Sequence, residues 1–324
     1  MVIQVSHLTK QYSVFRKEEG LMGSIRSLMF RKSEIITAVN DVSFTIGQGE
    51  LVGFIGPNGA GKTTTLKCLS GLLYPTSGSV SVLGHAPFSR DKEFLKRISL
   101  VMGQKNQLWW DLPAIETFAL NREIYEISHD QYHQTLHALT DLLEVAPLLH
   151  VPVRKLSLGE RMKMELIAAL IHRPQVLFLD EPTIGLDVVM QKKMRDFLKE
   201  YNATYKSTIL LTSHYMEDVR QLAKRVIIID HGSLLYDGKL DNLVKKFAKY
   251  KTLSIVLESY IPPAQFAPIG EIISYDFPRI VIRVHRNASN VAAAQVLEKF
   301  PVEDLTVEEP DMEDIIRDVF TKES

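Results

Sequence analysis

The chain has 324 residues, 45% of them apolar and 24% charged, so it is long enough to bury a sizeable core and too apolar to be disordered as a whole. Its 38 basic and 39 acidic residues leave a formal net charge of −1, which gives no global pull toward nucleic acid or an anionic membrane. The single cysteine, Cys68, excludes an intrachain disulfide framework and argues against a cysteine-based zinc site.

No apolar run reaches the roughly 18 residues that span a bilayer. At the start, Val2, Ile3 and Val5 alternate as a strand does, and nothing there resembles a signal peptide. Residues from about 13 to 36 read as a surface insertion. It carries a short basic amphipathic helix, with Leu21, Ile25, Leu28 and Met29 near helical spacing. Residues 42–46 and 51–55 read as strands, the second wholly apolar, as a strand covered on both faces should be. Residues 79–83 alternate again, and those from about 89 to 150 are mostly helical by pattern. Three more short apolar strands follow at 176–180, 207–212 and 225–230, with helical stretches between them. Strands alternating with helices predict an α/β core around a mostly parallel sheet. The tail differs: strands at 253–257, 272–275 and 280–284 and helices at 287–300 and 312–322 make a small α+β appendage. The expected division is therefore a domain over 1–240 and an accessory domain over 241–324.

Two patterns carry chemistry. Gly56-Pro57-Asn58-Gly59-Ala60-Gly61-Lys62-Thr63-Thr64 follows a buried strand and opens a helix, the context a G-x-x-x-x-G-K-[ST] phosphate loop requires. Its glycines let successive backbone N–H groups converge, and the helix N-terminus adds positive dipole. Lys62 supplies a charge for the β- and γ-phosphates, and the Thr63 hydroxyl a ligand for Mg²⁺. The second pattern is an apolar strand ending in Asp180-Glu181. A carboxylate there is costly unless it is paired or near a metal. Beside a phosphate loop, Asp180 would hold Mg²⁺ and Glu181 would polarise the attacking water.

Five further segments, in order, complete a resemblance to the ATPase subunits of ATP-binding cassette (ABC) transporters over about residues 1–240. Gln104 sits where that family has its Q-loop, and Leu156-Ser157-Leu158-Gly159-Glu160 resembles the signature LSGGQ. Ile184-Gly185-Leu186-Asp187 resembles the D-loop, and Thr212-Ser213-His214 the switch-histidine loop. Tyr12 lies at the place of the adenine-stacking aromatic, with Phe15 as a rival.

The resemblance implies a P-loop NTPase cassette: a mostly parallel core sheet, an antiparallel β-subdomain and a helical subdomain over about 89–160. It implies ATP and Mg²⁺ as cofactors, with Glu181, His214 and Gln104 catalytic and Thr63, Gln104 and Asp180 at the metal. The nucleotide would be held by Tyr12, by residues 56–64, and by Ser157, Gly159, Glu160 and Asp187. In the family two cassettes close head to tail on two ATP molecules, so a homodimer, or a heterodimer with a sister chain, is implied. Transmembrane permease subunits would be the further partners, nucleic acid would not, and the chain would sit in the cytoplasm on the inner face of the membrane. The segments around residues 56–65, 181–187 and 309–320 look like the ABC-2 exporter branch, and the insertion with Leu108-Trp109-Trp110-Asp111-Leu112-Pro113 like its viologen-exporter subgroup. Alternatives are a soluble ABC ATPase of translation or DNA repair, or a weakly catalytic regulatory cassette beside an active sister.

Several residues stand apart. Leu158 and Glu160 replace the usual glycine and glutamine of the signature, one restricting the backbone and the other adding charge. Two adjacent tryptophans, Trp109 and Trp110, cannot both face one core from a helix, so an interface is expected there. His129, His133 and His137 share a helix face, but no acid or cysteine completes a metal set.

Overall fold

The computed structural model describes residues 1–15, 33–103, 106–213, 215–247 and 249–309, with Met312, Ile315, Ile316, Val319 and Phe320 beyond them. They form two compact units, Met1–Gly238 and Lys239–Ser324. No described helix is long and apolar enough to cross a membrane.

The first unit opens with strands β1 (Ile3–Phe15) and β2 (Ser33–Ile46), an antiparallel pair. Then come β3 (Leu51–Ile55), helix α1 (Lys62–Leu69), β4 (Ser77–Val82), the short α2 (Lys92–Leu95) and β5 (Ile98–Met102). A helical layer follows: α3 (Ala114–Ile124), α4 (His129–Leu142) and α5 (Leu158–Leu170). The chain returns to the sheet through β6 (Val176–Asp180), α6 (Val188–Tyr205), β7 (Thr208–Thr212), α7 (Met216–Leu222), β8 (Arg225–Asp230) and β9 (Ser233–Lys239). The core sheet has the order β5-β6-β7-β3-β8-β9, and its pairs from β5 to β8 are parallel. A second sheet, β2-β1-β4, is antiparallel.

The strands alternate between two cores. On β6, Leu177 and Leu179 join a cluster with Phe118, Leu136 and Ile167 of the helical layer, while Val176 and Phe178 join one with Ile3, Val5 and Phe44 of the antiparallel sheet. On β7, Ile209 and Leu211 go to the first cluster and Leu210 to the second. A period of two with both faces covered is why these strands read as unbroken apolar runs. It also brings the carboxyl ends of β3, β6 and β7 to one edge.

Three readings change. Residues 98–102 form a core strand, so the helical layer begins beyond β5 and not near residue 89. A five-residue apolar run looks alike in a buried strand and a buried helix, and helical patterns on its C-terminal side favour the helix. Residues 13–15 and 33–36 extend the β1–β2 ladder instead of belonging to a loop. The amphipathic helix expected in the insertion lies outside the described residues. Finally, β9 was not anticipated; it follows β8 through His231-Gly232, both at positive φ, the geometry of a two-residue hairpin turn.

The second unit holds α8 (Leu240–Phe247), β10 (Tyr250–Leu257), β11 (Glu271–Asp276), β12 (Arg279–His285), α9 (Ser289–Lys299) and β13 (Val302–Glu308). Its antiparallel sheet, β11-β12-β10-β13, buries Leu253, Ile255, Ile280 and Ile282 with Phe266 and Val296. Acid-rich β13 was not expected from the sequence; it supplies the partner for the free edge of β10. The helix expected at 312–322 lies largely outside the described residues.

Candidate functional site

The phosphate-loop sequence sits between β3 and α1. Gly61 precedes the first residue of α1 with φ 101, and no side chain caps the helix there. A Cβ at Gly61 would lie 2.3 Å from the Ala38 carbonyl oxygen of β2, so both the angle and the close approach demand glycine. The Lys62 ammonium folds back into the loop and donates to the carbonyl oxygens of Gly56 at 2.7 Å and Pro57 at 2.9 Å. Burial lowers the Lys62 pKa, and the charges of Glu181 and Asp180 oppose that shift. The ammonium therefore sits where an anion would relieve its desolvation.

Across the sheet edge, Asp180 ends β6. The Thr63 hydroxyl donates to its Oδ2 at 2.7 Å and the Thr212 hydroxyl, at the end of β7, to its Oδ1 at 2.8 Å. Thr212 Oγ1 also accepts from the Glu181 N–H at 3.0 Å. Glu181 has φ 55, a left-handed conformation held by this bond and by close packing of its carbonyl on Gly103, where a Cβ would come within 2.2 Å. The structure thus brings Lys62, Thr63, Asp180 and Glu181 together. Thr63 and Asp180 offer the hard oxygen donors that Mg²⁺ takes, converging at one point, so the donor set fits that ion. Gln104 and His214 lie outside the described residues.

The signature sequence opens α5. Ser157 is its N-cap and Glu160 the third helical residue, and the two close a capping box. The Ser157 N–H and hydroxyl donate to Glu160 Oε2 at 2.8 and 2.9 Å, and Ser157 Oγ accepts from the Glu160 N–H at 3.3 Å. These bonds hold the Glu160 carboxyl below its ordinary pKa. Leu158 packs over Gly185, where a Cβ would lie 3.0 Å from Leu158 Cδ2, and Gly159 faces Met190. Asp187 caps α6, accepting from the Met190 N–H at 2.8 Å. Beside it Val188 and Val189 are 76% and 70% exposed.

A family profile described as "ABC transporter" matches residues 39–184, and one described as "EvrA-like ABC transporter, C-terminal domain" matches residues 249–308. The chain is 34% identical over 212 residues to the ABC transporter ATP-binding protein NatA of Bacillus subtilis, which spans 65% of this chain and 86% of the relative. The chain belongs to the ABC transporter ATP-binding family. It is likewise 36% identical to the bacitracin transport ATP-binding protein BcrA of Bacillus licheniformis, over 66% of this chain and 68% of the relative. Among solved structures, the dimeric post-hydrolysis ATP-binding cassette MJ0796 bound to ADP and Pi superposes with a TM-score of 0.61 at 25% identity, covering 74% of this chain and 98% of that one. An ATP-binding subunit of an ABC transporter gives 0.63 at 24% identity, covering 76% and 93%. The chain is therefore an ATP-binding, ATP-hydrolysing cassette.

The cassette holds groups that motif reading passed over. In sequence Thr212 is only the residue before Ser213-His214, yet it bridges both acids; the parallel pairing of Asp180 with Thr212 is the signal that marks it. A second junction lies behind the acids. Asp218 of α7, 1% exposed, accepts from the Thr183 and Ser213 hydroxyls and pairs with the buried Arg195 at 2.7 Å. It joins the segment after Glu181 to the segment before residue 214. Tyr12 is half-buried on β1, with the Lys10 ammonium 5.3 Å from its ring centre. It pairs with Ile36, a few residues from the Ala38 carbonyl that lies against Gly61. The Phe15 side chain is outside the described set. Trp109 and Trp110 are 51% and 49% exposed in the segment before α3, next to Leu112. On α4, His133 Nε2 lies 3.0 Å from His129 Nε2, and His137 pairs with Asp141.

Proposed function

We propose that this cassette energises a membrane exporter of the ABC-2 type. The observation that carries the ATPase half of this reading is the junction at the sheet edge, where Thr63 of the phosphate loop, Asp180, Thr212 and the backbone of Glu181 share one hydrogen-bonded set, and similarity to the bacitracin transport ATP-binding protein supports the export half. In this reading the amides of residues 59–64 and the Lys62 ammonium take the ATP phosphates, Lys62 exchanging its two loop carbonyls for phosphate oxygens. Thr63 and Asp180, with Gln104, would hold Mg²⁺, which when bound neutralises charge developing on the phosphate oxygens. Glu181 holds and polarises the attacking water, and His214 contacts the γ-phosphate. Tyr12 stacks on the adenine.

Pairing completes the site. Ser157, Gly159 and Glu160 at the start of α5, with Asp187, face the nucleotide bound by a second cassette, either another copy or a sister chain. Trp109, Trp110 and Leu112 then offer an exposed apolar surface to a permease subunit, and through that subunit the chain would sit at the inner face of the membrane. The accessory unit serves dimerisation and stability. The test is an affinity pull-down from detergent-solubilised membranes beside an ATPase assay of the purified chain. Mg²⁺-dependent hydrolysis and recovery of a polytopic membrane protein in stoichiometric amount are expected. Hydrolysis with only soluble partners recovered would overturn the transport reading and leave the ATPase standing.

A further inference from the structure

Glu165 stands in the middle of α5, 4% exposed, with no lysine or arginine in an ion pair with it among the described contacts. Its carboxylate accepts from the backbone N–H of Gln107 at 2.9 and 3.1 Å and of Leu108 at 3.3 Å. Burial raises its pKa; the two N–H bonds and the nearby charge of Arg161 only partly offset that. Burying a carboxylate is a costly way to pack a helix against a loop, and an apolar side chain would do it at less cost. What the carboxylate adds is direction, because it fixes two backbone amides at a set place against the helix.

The same stretch is held at three more points. Arg161, one turn earlier on α5, lies over the Trp110 ring at 5.5 Å from its centre. Arg154, in the 3₁₀ turn Val153–Lys155 just ahead of α5, gives its N–H to the Trp110 carbonyl and its guanidinium to Asp111, each at 3.0 Å. Val153 N–H donates to the Leu112 carbonyl at 3.1 Å. Toward the core sheet, among the described residues, Gln107 Nε2 donates to the Leu100 carbonyl at 2.7 Å and Leu108 packs into the cluster that holds Val101 and Leu179. Of these ties only Glu165 is buried in the middle of the helix that begins with the signature.

We propose that Glu165 is the positioning residue that locks the Trp109–Trp110 surface to the signature helix, so that movement of the Ser157 end reaches that surface without slack. This rests on the ATP-driven pairing proposed above. It assigns a role to a residue that touches neither nucleotide nor partner, and it makes the helix and the aromatic segment one mechanical piece.

The chain supplies its own reporter, because its only two tryptophans are Trp109 and Trp110. Tryptophan emission and acrylamide quenching are measured on the full chain with and without ATP and Mg²⁺, in a Glu181→Gln background that halts turnover. ATP affinity is read separately with a fluorescent ATP analogue. Nucleotide is expected to change the tryptophan signal. Glu165→Leu, which removes the acceptor, loses more than half of that amplitude while ATP affinity and pairing persist. Glu165→Gln, which keeps one acceptor oxygen, retains it. A Glu165→Leu chain with full amplitude overturns the proposal, as does a Glu165→Gln chain that loses as much as Glu165→Leu. Should Glu165→Leu not fold, amide exchange on the unsubstituted chain decides. The Gln107 and Leu108 amides are expected to be protected in step with α5, and fast, independent exchange overturns the assignment. A chain that binds no ATP fails the reading above as well. A Glu181→Gln chain that binds ATP and pairs with an unchanged tryptophan signal fails this inference alone.

Discussion

Helices α1 and α5 both begin at a motif associated with phosphate, and they begin differently. The α1 start is Gly61, left-handed and without a side-chain cap, followed by a lysine that donates to carbonyls of its own loop. The α5 start is Ser157, whose hydroxyl and N–H are both engaged by Glu160. The first end is arranged to receive an anion without first breaking a cap. The second is complete in itself, and it holds a carboxylate where a partner's nucleotide would arrive. On the proposed roles, ATP binding needs only the first end, whereas pairing must also rearrange the second. The difference separates affinity for nucleotide from readiness to dimerise.

The sharpest cut through that comparison is Glu181→Gln. It is expected to lower turnover by about 10²-fold or more while binding at the α1 end persists, so an ATP-bound pair accumulates on size-exclusion chromatography. Turnover at the unsubstituted rate would sink the assignment. Acid separates the two helices in another way. His172, just past α5, stacks on Tyr125 at 3.8 Å, has its Nε2 3.0 Å from the Ile98 carbonyl, and has its pKa lowered by burial from 6.5 to about 4. The unfolded chain takes up a proton below about pH 6.5 that the folded chain refuses until about pH 4. Stability is therefore lost as pH falls through that window, by on the order of 3 kcal/mol. Denaturant melts across that range should show this slope, and His172→Gln should flatten it. Ser157→Ala is expected to cost about 1 kcal/mol in thermal melts through the lost cap. It should weaken ATP-driven pairing far more than ATP affinity, which titration and light scattering on one sample distinguish. Smallest is Glu160→Gln, since glutamine also closes a capping box and stability should move by only about 0.5 kcal/mol. Pairing at low salt should improve as the charge leaves. If Glu160→Gln instead weakens pairing, the carboxylate is not an obstacle, and the contrast between the two helix ends loses its basis.

The phosphate loop and the acids at the end of β6 were legible because their chemistry is local. A glycine-rich turn between an apolar strand and a helix has few other uses, and a strand that ends in two acids needs a reason. Thr212 and Asp218 were not legible, because their partners come from other strands and helices. Only the pairing of β6 with β7 sets Thr212 beside Asp180. Glu165 was hidden for the opposite reason: on an amphipathic reading of α5 it passes for a solvated charge, and only its burial against residues 107–108 reveals otherwise. Strand β5 was lost to its length, since five apolar residues carry too little periodicity to tell strand from helix.

The junction at Asp218 bears on how such a chain can vary. One carboxylate serves two hydroxyls and a guanidinium drawn from three separate segments, all dry. Replacing it alone strands Arg195 and costs about 3–5 kcal/mol, and replacing Arg195 alone strands the acid to a similar extent. Exchanging the set together for well-packed apolar residues need cost little. The pair is thus easier to leave by two simultaneous steps than by one. Descendants of this sequence should keep Asp218 and Arg195 together or lose them together, with single losses rare.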